Sequence, residues 1–259
     1  MFRFFVCPSN ITKEYIYLND EDLKHIRSVR LRPDEEFVVC DSEGTDYVCF
    51  LDKKDGLPVA GILKRQKSIS EPTVLCKCYM AFSKGDRLDY AVQKAVELGV
   101  HEIILFESEH CVAVPNDIPK KVTRLSRIAY ETAKLSGRGK VSEVSYGGKL
   151  EKIINDAILN DKNVLFFYEE ETELNIKDIL CKIFPPDGPV CSAESADNKK
   201  RSDGGISIIT GPEGGFSSAE ASLVRSKNIP VVSLGSRILR SETAPVVALS
   251  AIMYHTGNL

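Results

Sequence analysis

Residues Thr210–Glu220 read TGPEGGFSSAE and follow the isoleucine-rich run ISII. The run predicts a strand, and Ser217 or Ser218 with Glu220 in the next turn predicts a capped helix start. Between them stand three glycines and a proline, more than a strand-to-helix turn requires. Glycine admits left-handed backbone angles and close approach of a ligand. The stretch is therefore either a tight turn before a capped helix or a loop on which a ligand lies. A phosphate loop would need lysine followed by Ser or Thr, and a dinucleotide loop would need G-x-G-x-x-G after the first strand of a βαβ unit. Neither pattern is present.

A second unusual stretch follows, VVSLGSRILRSETAPVVALSAIM, Val231–Met253. A strand should end at Leu234-Gly235, and a last helix should open after SRILR with Ser241 as its cap. Ile238 and Leu239 are apolar residues in a loop that should be polar. Such residues need a cover, either another chain or a flat organic ligand such as adenine.

Outward from these loops the chain alternates strand and helix. VLCKCYMAF, EIILF, NVLFFY, GISIITG and IPVVSLG are apolar runs of the kind buried on both faces in parallel sheets. DRLDYAVQKAVELGV predicts an amphipathic helix with Leu88, Ala91, Val92, Ala95 and Val96 on one face and Gly99 as its stop. Further helices are expected over 120–135, 150–159, 217–226 and 242–254, which makes this part an α/β layer structure. The first seventy residues are β-rich instead. FRFFV, EEFVVCD, DYVCFLD and VAGILKR are separated by the turn sequences SEGT and KKDG, with one helix in NDEDLKHIRSV capped by Asn19. A small barrel or folded sheet is expected there. The polar SISEPT, Ser68–Thr73, marks a boundary, giving domains at 1–70 and 73–259. Pro185–Gly205, polar and rich in Pro, Gly and Ser, reads as a mobile surface insertion.

The 259 residues are 43% hydrophobic and 27% charged, as in an ordinary globular protein. No apolar stretch approaches the roughly 20 residues of a membrane helix, and the N-terminus lacks the form of a secretory signal, so a cytoplasmic address is expected. The 8 cysteines and 4 histidines show no metal-ligand spacing, so buried reduced thiols and no metal are expected. The net charge of −3 does not point to a polyanion partner, but the charge is unevenly placed. Lys120, Lys121, Arg124, Arg127, Lys134, Arg138 and Lys140 crowd one stretch, Arg27, Arg30 and Arg32 a second, and Lys64, Arg65 and Lys67 a third. Each run is a solvated face or a nucleic-acid contact.

GPEGGFSSAE followed by LGSRILRSETA resembles the signature of the SPOUT methyltransferases, in particular the family that methylates N3 of a uridine in bacterial small-subunit (16S) ribosomal RNA. HIRSVRLRPDEEFVV is similar to that family's N-terminal RNA-binding segment, SKGDRLDYAVQKAVELGV to its first catalytic-domain helix, and RIAYETAKLSGRGKV to its basic central helix. The resemblance implies a PUA-like β-barrel followed by an α/β domain whose C-terminal part forms a trefoil knot, and a homodimer. It implies S-adenosylmethionine as cofactor, held by Gly211, Pro212, Gly214 and Gly215 on one wall and by Leu234, Gly235, Ile238, Leu239 and Ala244 on another. The implied partner is small-subunit ribosomal RNA or the assembled 30S subunit, gripped by Arg27, Arg30, Arg32, Lys120, Lys121, Arg124, Arg127 and Lys134. Two positions depart from the family pattern. Leu135 stands where glutamine is common, and His110 where arginine is common.

Uracil N3 is a poor nucleophile until its proton leaves, and the resulting charge spreads to the flanking carbonyl oxygens. A fixed guanidinium would stabilise it. Arg240 is the first candidate and Arg138 the second, although either could grip a phosphate or brace a loop. Glu242 is either the base or, more in keeping with its position, a cap or a partner of Arg240. Because N3 lies on the pairing edge, the base must be unpaired or extruded. The rival readings are methylation of another ribosomal or transfer RNA site, methylation of a ribose 2′-hydroxyl, and a ribosome-assembly protein that binds RNA without catalysis.

Overall fold

The structure, a computed structural model, describes residues 1–185 and 205–259. The insertion expected at Pro185–Gly205 thus lies, except for its two end residues, outside the described residues. The chain divides into two units: Met1–Glu71 with Tyr130–Val141, and Pro72–Ala129 with Ser142–Leu259.

The first unit is built on one five-stranded sheet. Its order is β1 (Arg3–Phe5), β3 (Phe37–Cys40), β4 (Thr45–Lys54), β5 (Leu57–Lys67) and β2 (Tyr15–Ile16). β4 and β5 form a long hairpin whose Asp55-Gly56 turn has both residues at positive φ, 51° and 80°. That turn matches the twist of paired strands, which is why KKDG is legible as a hairpin tip. Helix α1 (Asp20–Ser28) is capped by Asn19, whose side chain accepts from the Asp22 amide at 2.8 Å. It ends where Arg30 turns to φ 54° and the Leu31 amide donates back to the Ile26 carbonyl. Phe4, Ile16, Ile26, Phe37 and Val39 make the centre of the core. The two-residue β2 is too short for any periodicity to reveal.

The second unit carries a six-stranded, wholly parallel sheet. Its order is β11 (Val231–Val232), β9 (Asn163–Phe167), β10 (Ile206–Thr210), β6 (Cys76–Ala81), β7 (Glu102–Glu107) and β8 (Glu143–Lys149). The continuous apolar runs are buried as parallel strands should be. The helices are α2 (Arg87–Glu97), α3 (Ile118–Leu135), α4 (Leu150–Asn160), α5 (Ile176–Ile183), α6 (Ser218–Ser226) and α7 (Thr243–His255). From Tyr130 onward α3 belongs by its contacts to the first unit.

Three features differ from the sequence reading. β8 is unanticipated because EVSYGGK is polar and holds two glycines. An added Cβ on Gly147 would meet Ile153 Cδ1 at 2.3 Å, so the side chain of α4 takes the space that a larger residue would fill. α5 was also unanticipated, although Asn175, accepting from the Asp178 amide at 3.0 Å, is a sequence-visible cap. Ser241 does not cap α7. Glu242 holds the cap position without a side-chain cap bond, and the Ser241 hydroxyl donates to the Glu242 carboxylate at 3.2 Å instead.

Candidate active site

Phe216 fixes the glycine-rich loop. Its buried ring lies 4.2 Å from Phe166 on β9 and stacks over Phe106 on β7 at 6.4 Å, between centroids. The next residues form the expected capping box, Ser217 amide to Glu220 carboxylate at 2.9 Å and Glu220 amide to Ser217 hydroxyl at 3.1 Å. The same carboxylate accepts from the Ser108 hydroxyl and the Glu109 amide, both at 2.9 Å. The start of α6 is therefore tied to the end of β7, and the loop before it is held at both ends.

A cavity of about 430 Å³ opens where the segments after β9, β10 and β11 meet. This is the carboxyl edge of a parallel sheet, where α/β proteins place their ligands. Its volume lies in the range of small-molecule sites, about 300–1,000 Å³. Gly211, Pro212 and Gly215 line one wall, and Leu234, Gly235, Ile238, Leu239 and Ala244 another. Arg240 and Glu242 line it too. Nothing lies within 4 Å of a Cβ added to Gly235, so the space beside that backbone is open. Ile238 is 83% exposed.

The charged lining is balanced, with Arg87, Arg237 and Arg240 against Glu169, Glu213 and Glu242. Glu213 Oε1 accepts from the Lys84 amide at 2.6 Å and from Arg87 Nη1 at 2.8 Å. Burial pushes the Glu213 carboxyl up, but these donors outweigh it and hold the group below its usual range. Its other oxygen, Oε2, is buried with no hydrogen-bond partner. Glu242 lies 4.0 Å from Arg87 Nε and 3.9 Å from Arg240 Nη1. It thus bridges the two arginines.

These features suit a bound nucleoside with an amino-acid tail. A glycine-lined wall admits close backbone contact, apolar Ile238 and Leu239 can cover a flat base, and the orphaned Glu213 oxygen calls for a ligand donor.

Two candidates lie elsewhere. Gly214 does not line the cavity, because a Cβ there would meet His110 Cβ at 2.8 Å, and the His110 ring nitrogen pairs with the Gly214 carbonyl at 3.1 Å. Arg138 does not line it either. Its guanidinium is buried in the first unit and bound to Glu71 through two contacts of 2.8 and 2.9 Å. Glu71 also accepts from the Gly139 and Lys140 amides. Burial opposes ionisation of Glu71, yet these donors hold its carboxyl below the usual range. This is a brace.

The basic candidates divide likewise. Lys121 and Arg124 pair with Asp89, and Lys134 lies over the rings of Phe4 and Tyr130. Arg27, Arg30, Arg32, Lys120 and Arg127 are exposed. The sequence reading missed Arg87, Glu169, Glu213 and Arg237 in the cavity. Glu213 and Arg237 sit inside the two quoted motifs, so their loops signalled them. Arg87 and Glu169 had no such signal. Among the described residues no group of three His, Cys, Asp or Glu side chains could hold a metal, and no helix is long and apolar enough to cross a membrane.

A parallel sheet with a glycine-walled cavity at the carboxyl ends of its strands defines an α/β protein that takes a ligand at its sheet edge. A family model described as RNA methyltransferase domain matches residues 70–253, and one described as RNA methyltransferase PUA domain matches residues 18–56. The chain belongs to the RNA methyltransferase domain family. It is 29% identical to Ribosomal RNA small subunit methyltransferase E of Bacillus subtilis, over 100% of this chain and 98% of that one. The like-named protein of Aquifex aeolicus is 27% identical over 92% and 93%. Among solved structures, Ribosomal RNA small subunit methyltransferase E from Neisseria gonorrhoeae bound to S-adenosyl methionine matches with TM-score 0.76 and 26% identity, covering 98% of this chain and 97% of that one.

Proposed function

We propose that this protein methylates N3 of a uridine in small-subunit ribosomal RNA, using S-adenosylmethionine. The observation that carries the reading is the cavity itself, with its glycine wall, its apolar cover and its orphaned acceptor. The relatives named for small-subunit ribosomal RNA and the neighbour bound to S-adenosyl methionine support it.

When bound, the cofactor supplies a methyl group activated by a sulfonium sulfur. Gly211, Gly215, Leu234 and Gly235 offer backbone to its nucleoside and tail, and Ile238 and Leu239 cover the adenine. Arg240, in the wall and exposed, stabilises the negative charge that reaches the uracil oxygens as the N3 proton leaves. Glu242 holds Arg240 and Arg87 rather than acting as base. Arg138 braces the 138–140 turn through Glu71. Exposed Arg27, Arg30, Arg32, Lys120 and Arg127 hold phosphates, with Lys121, Arg124 and Lys134 contributing from their paired positions.

The domain scheme that goes with this reading is an RNA-binding PUA-like barrel over 1–70 and a SPOUT methyltransferase domain over 73–259, its C-terminal loops threaded as a trefoil knot. The work is done in the cytoplasm, on ribosomal RNA or the assembled 30S subunit. A homodimer is supported by the apolar residues that α7 leaves partly uncovered, Val246 and Val247 half-buried and Tyr254 78% exposed.

The test is methyl transfer from labelled cofactor to small subunits and to naked ribosomal RNA, followed by nucleoside mass spectrometry. N3-methyluridine is the expected product. A 2′-O-methyl nucleoside, or no S-adenosylmethionine binding at all, overturns the assignment.

A further inference from the structure

Glu169 stands apart from the other acids of the cavity. Glu213 is matched by Arg87, and Glu242 by Arg87 and Arg240. Glu169 makes no hydrogen bond and no ion pair among the described residues. Its neighbours in sequence both have partners. Glu170 accepts from the Tyr168 hydroxyl at 2.6 Å, and Glu171 pairs with Arg225 at 2.8 Å.

The position of Glu169 is also built into the glycine loop. Gly215 has φ 68°, and a Cβ on it would lie 1.6 Å from Glu169 Oε1. Any larger residue at 215 would evict the carboxylate. The second glycine of the GG pair therefore does two things: it supplies the left-handed turn, and it leaves the place where the Glu169 carboxylate lies across the loop.

Glu169 is exposed in the cavity lining, so a ligand cation can reach its carboxylate without displacing a protein partner. S-adenosylmethionine carries cations only in its methionyl part, the sulfonium and the α-ammonium. The orphaned Glu213 oxygen needs a donor but not a charge, since Arg87 already neutralises that carboxylate. We propose that Glu169 receives the cationic methionyl end of the cofactor and sets the preference for it over neutral thioether nucleosides. This rests on the cofactor reading above.

Calorimetry on the full chain tests it with S-adenosylmethionine, S-adenosylhomocysteine and 5′-methylthioadenosine, which is a neutral thioether lacking the amino-acid tail. Glu169→Gln should weaken S-adenosylmethionine by roughly tenfold or more, as expected for loss of a charge-assisted contact. Binding of methylthioadenosine should change less than about twofold, because only the shared nucleoside contacts hold it. A loss for S-adenosylhomocysteine equal to that for S-adenosylmethionine puts the carboxylate at the ammonium, and a smaller one at the sulfonium. Glu173→Gln, at an exposed glutamate outside the cavity lining, is the control and should leave all three unchanged. Unaltered S-adenosylmethionine affinity in Glu169→Gln, or a parallel fall for methylthioadenosine, overturns the proposal. If the unsubstituted protein binds none of the three, it is the cofactor reading that fails.

Discussion

Phe216 and Phe166 lie ring against ring, 4.2 Å between centroids, so the last residue of GPEGGF is locked onto the strand whose end also lines the cavity. Through this pair the packing of the core sets the position of the loop. Phe216→Ala should cost about 3–5 kcal/mol of stability, as for other large buried aromatics. It should also weaken S-adenosylmethionine binding under conditions where the variant remains folded. Denaturant unfolding and calorimetry measure the two effects, and a stable variant with unchanged affinity would show that the loop does not depend on the ring.

Arg240→Ala should lower the rate of methyl transfer by roughly two to three orders of magnitude, the usual loss for a donor to a developing oxyanion. Cofactor affinity should stay within about threefold of the original, since the group acts on the transition state. Single-turnover kinetics beside calorimetry separates the two. A loss confined to cofactor affinity would reassign Arg240 to binding.

Breaking the Arg138–Glu71 pair leaves a buried charge alone, and Glu71→Gln should destabilise by about 3–5 kcal/mol near neutrality. The Glu71 carboxyl titrates below its ordinary value of 4.5 in the folded chain. Its contribution is therefore present above that value and is lost as pH falls through the lowered folded one. The stability gap between the original protein and the variant should narrow in acid. Urea unfolding at a series of pH values checks this.

Asp22 behaves in the opposite sense. Burial raises its carboxyl from 3.8 to about 6 against the pull of Lys134, with Glu21 and Glu131 adding to the rise, and its Oδ2 is buried without a partner. In the folded chain the proton is held more tightly than in the unfolded chain, so stability falls as pH rises from about 4 to about 6. Asp22→Asn should melt several degrees higher than the original above pH 6 and should match it below pH 4. A constant difference across that window would remove Asp22 as its cause.

Triple substitution of Arg27, Arg30 and Arg32 by alanine should weaken RNA binding and flatten its dependence on salt by up to about three phosphate contacts. Filter binding from low to moderate salt measures the slope. An unaltered slope would clear this group of any role in holding RNA.

Much of this protein is set by local pattern. The parallel strands are legible because both their faces are buried, which forces uninterrupted runs such as EIILF and NVLFFY. Asn19, Ser217 and the Asp55-Gly56 turn act within a few residues of themselves, so their roles are visible in one dimension. The two late loops announce themselves because glycine at 211 and 215 and apolar residues at 238 and 239 contradict ordinary loop composition. Other features exist only where distant segments meet. Arg87 and Glu169 enter the cavity from α2 and from the end of β9, and nothing in their neighbours marks them. Arg138 has the sequence of a site residue, but Glu71 lies against it and it does not line the cavity. Gly214 was separated from its glycine neighbours by His110, and Ser241 lost the cap position to Glu242. Short-range hydrogen bonding and burial periodicity are written along the chain. The pairing of charges across a fold is decided only when the sheet order sets strand ends side by side.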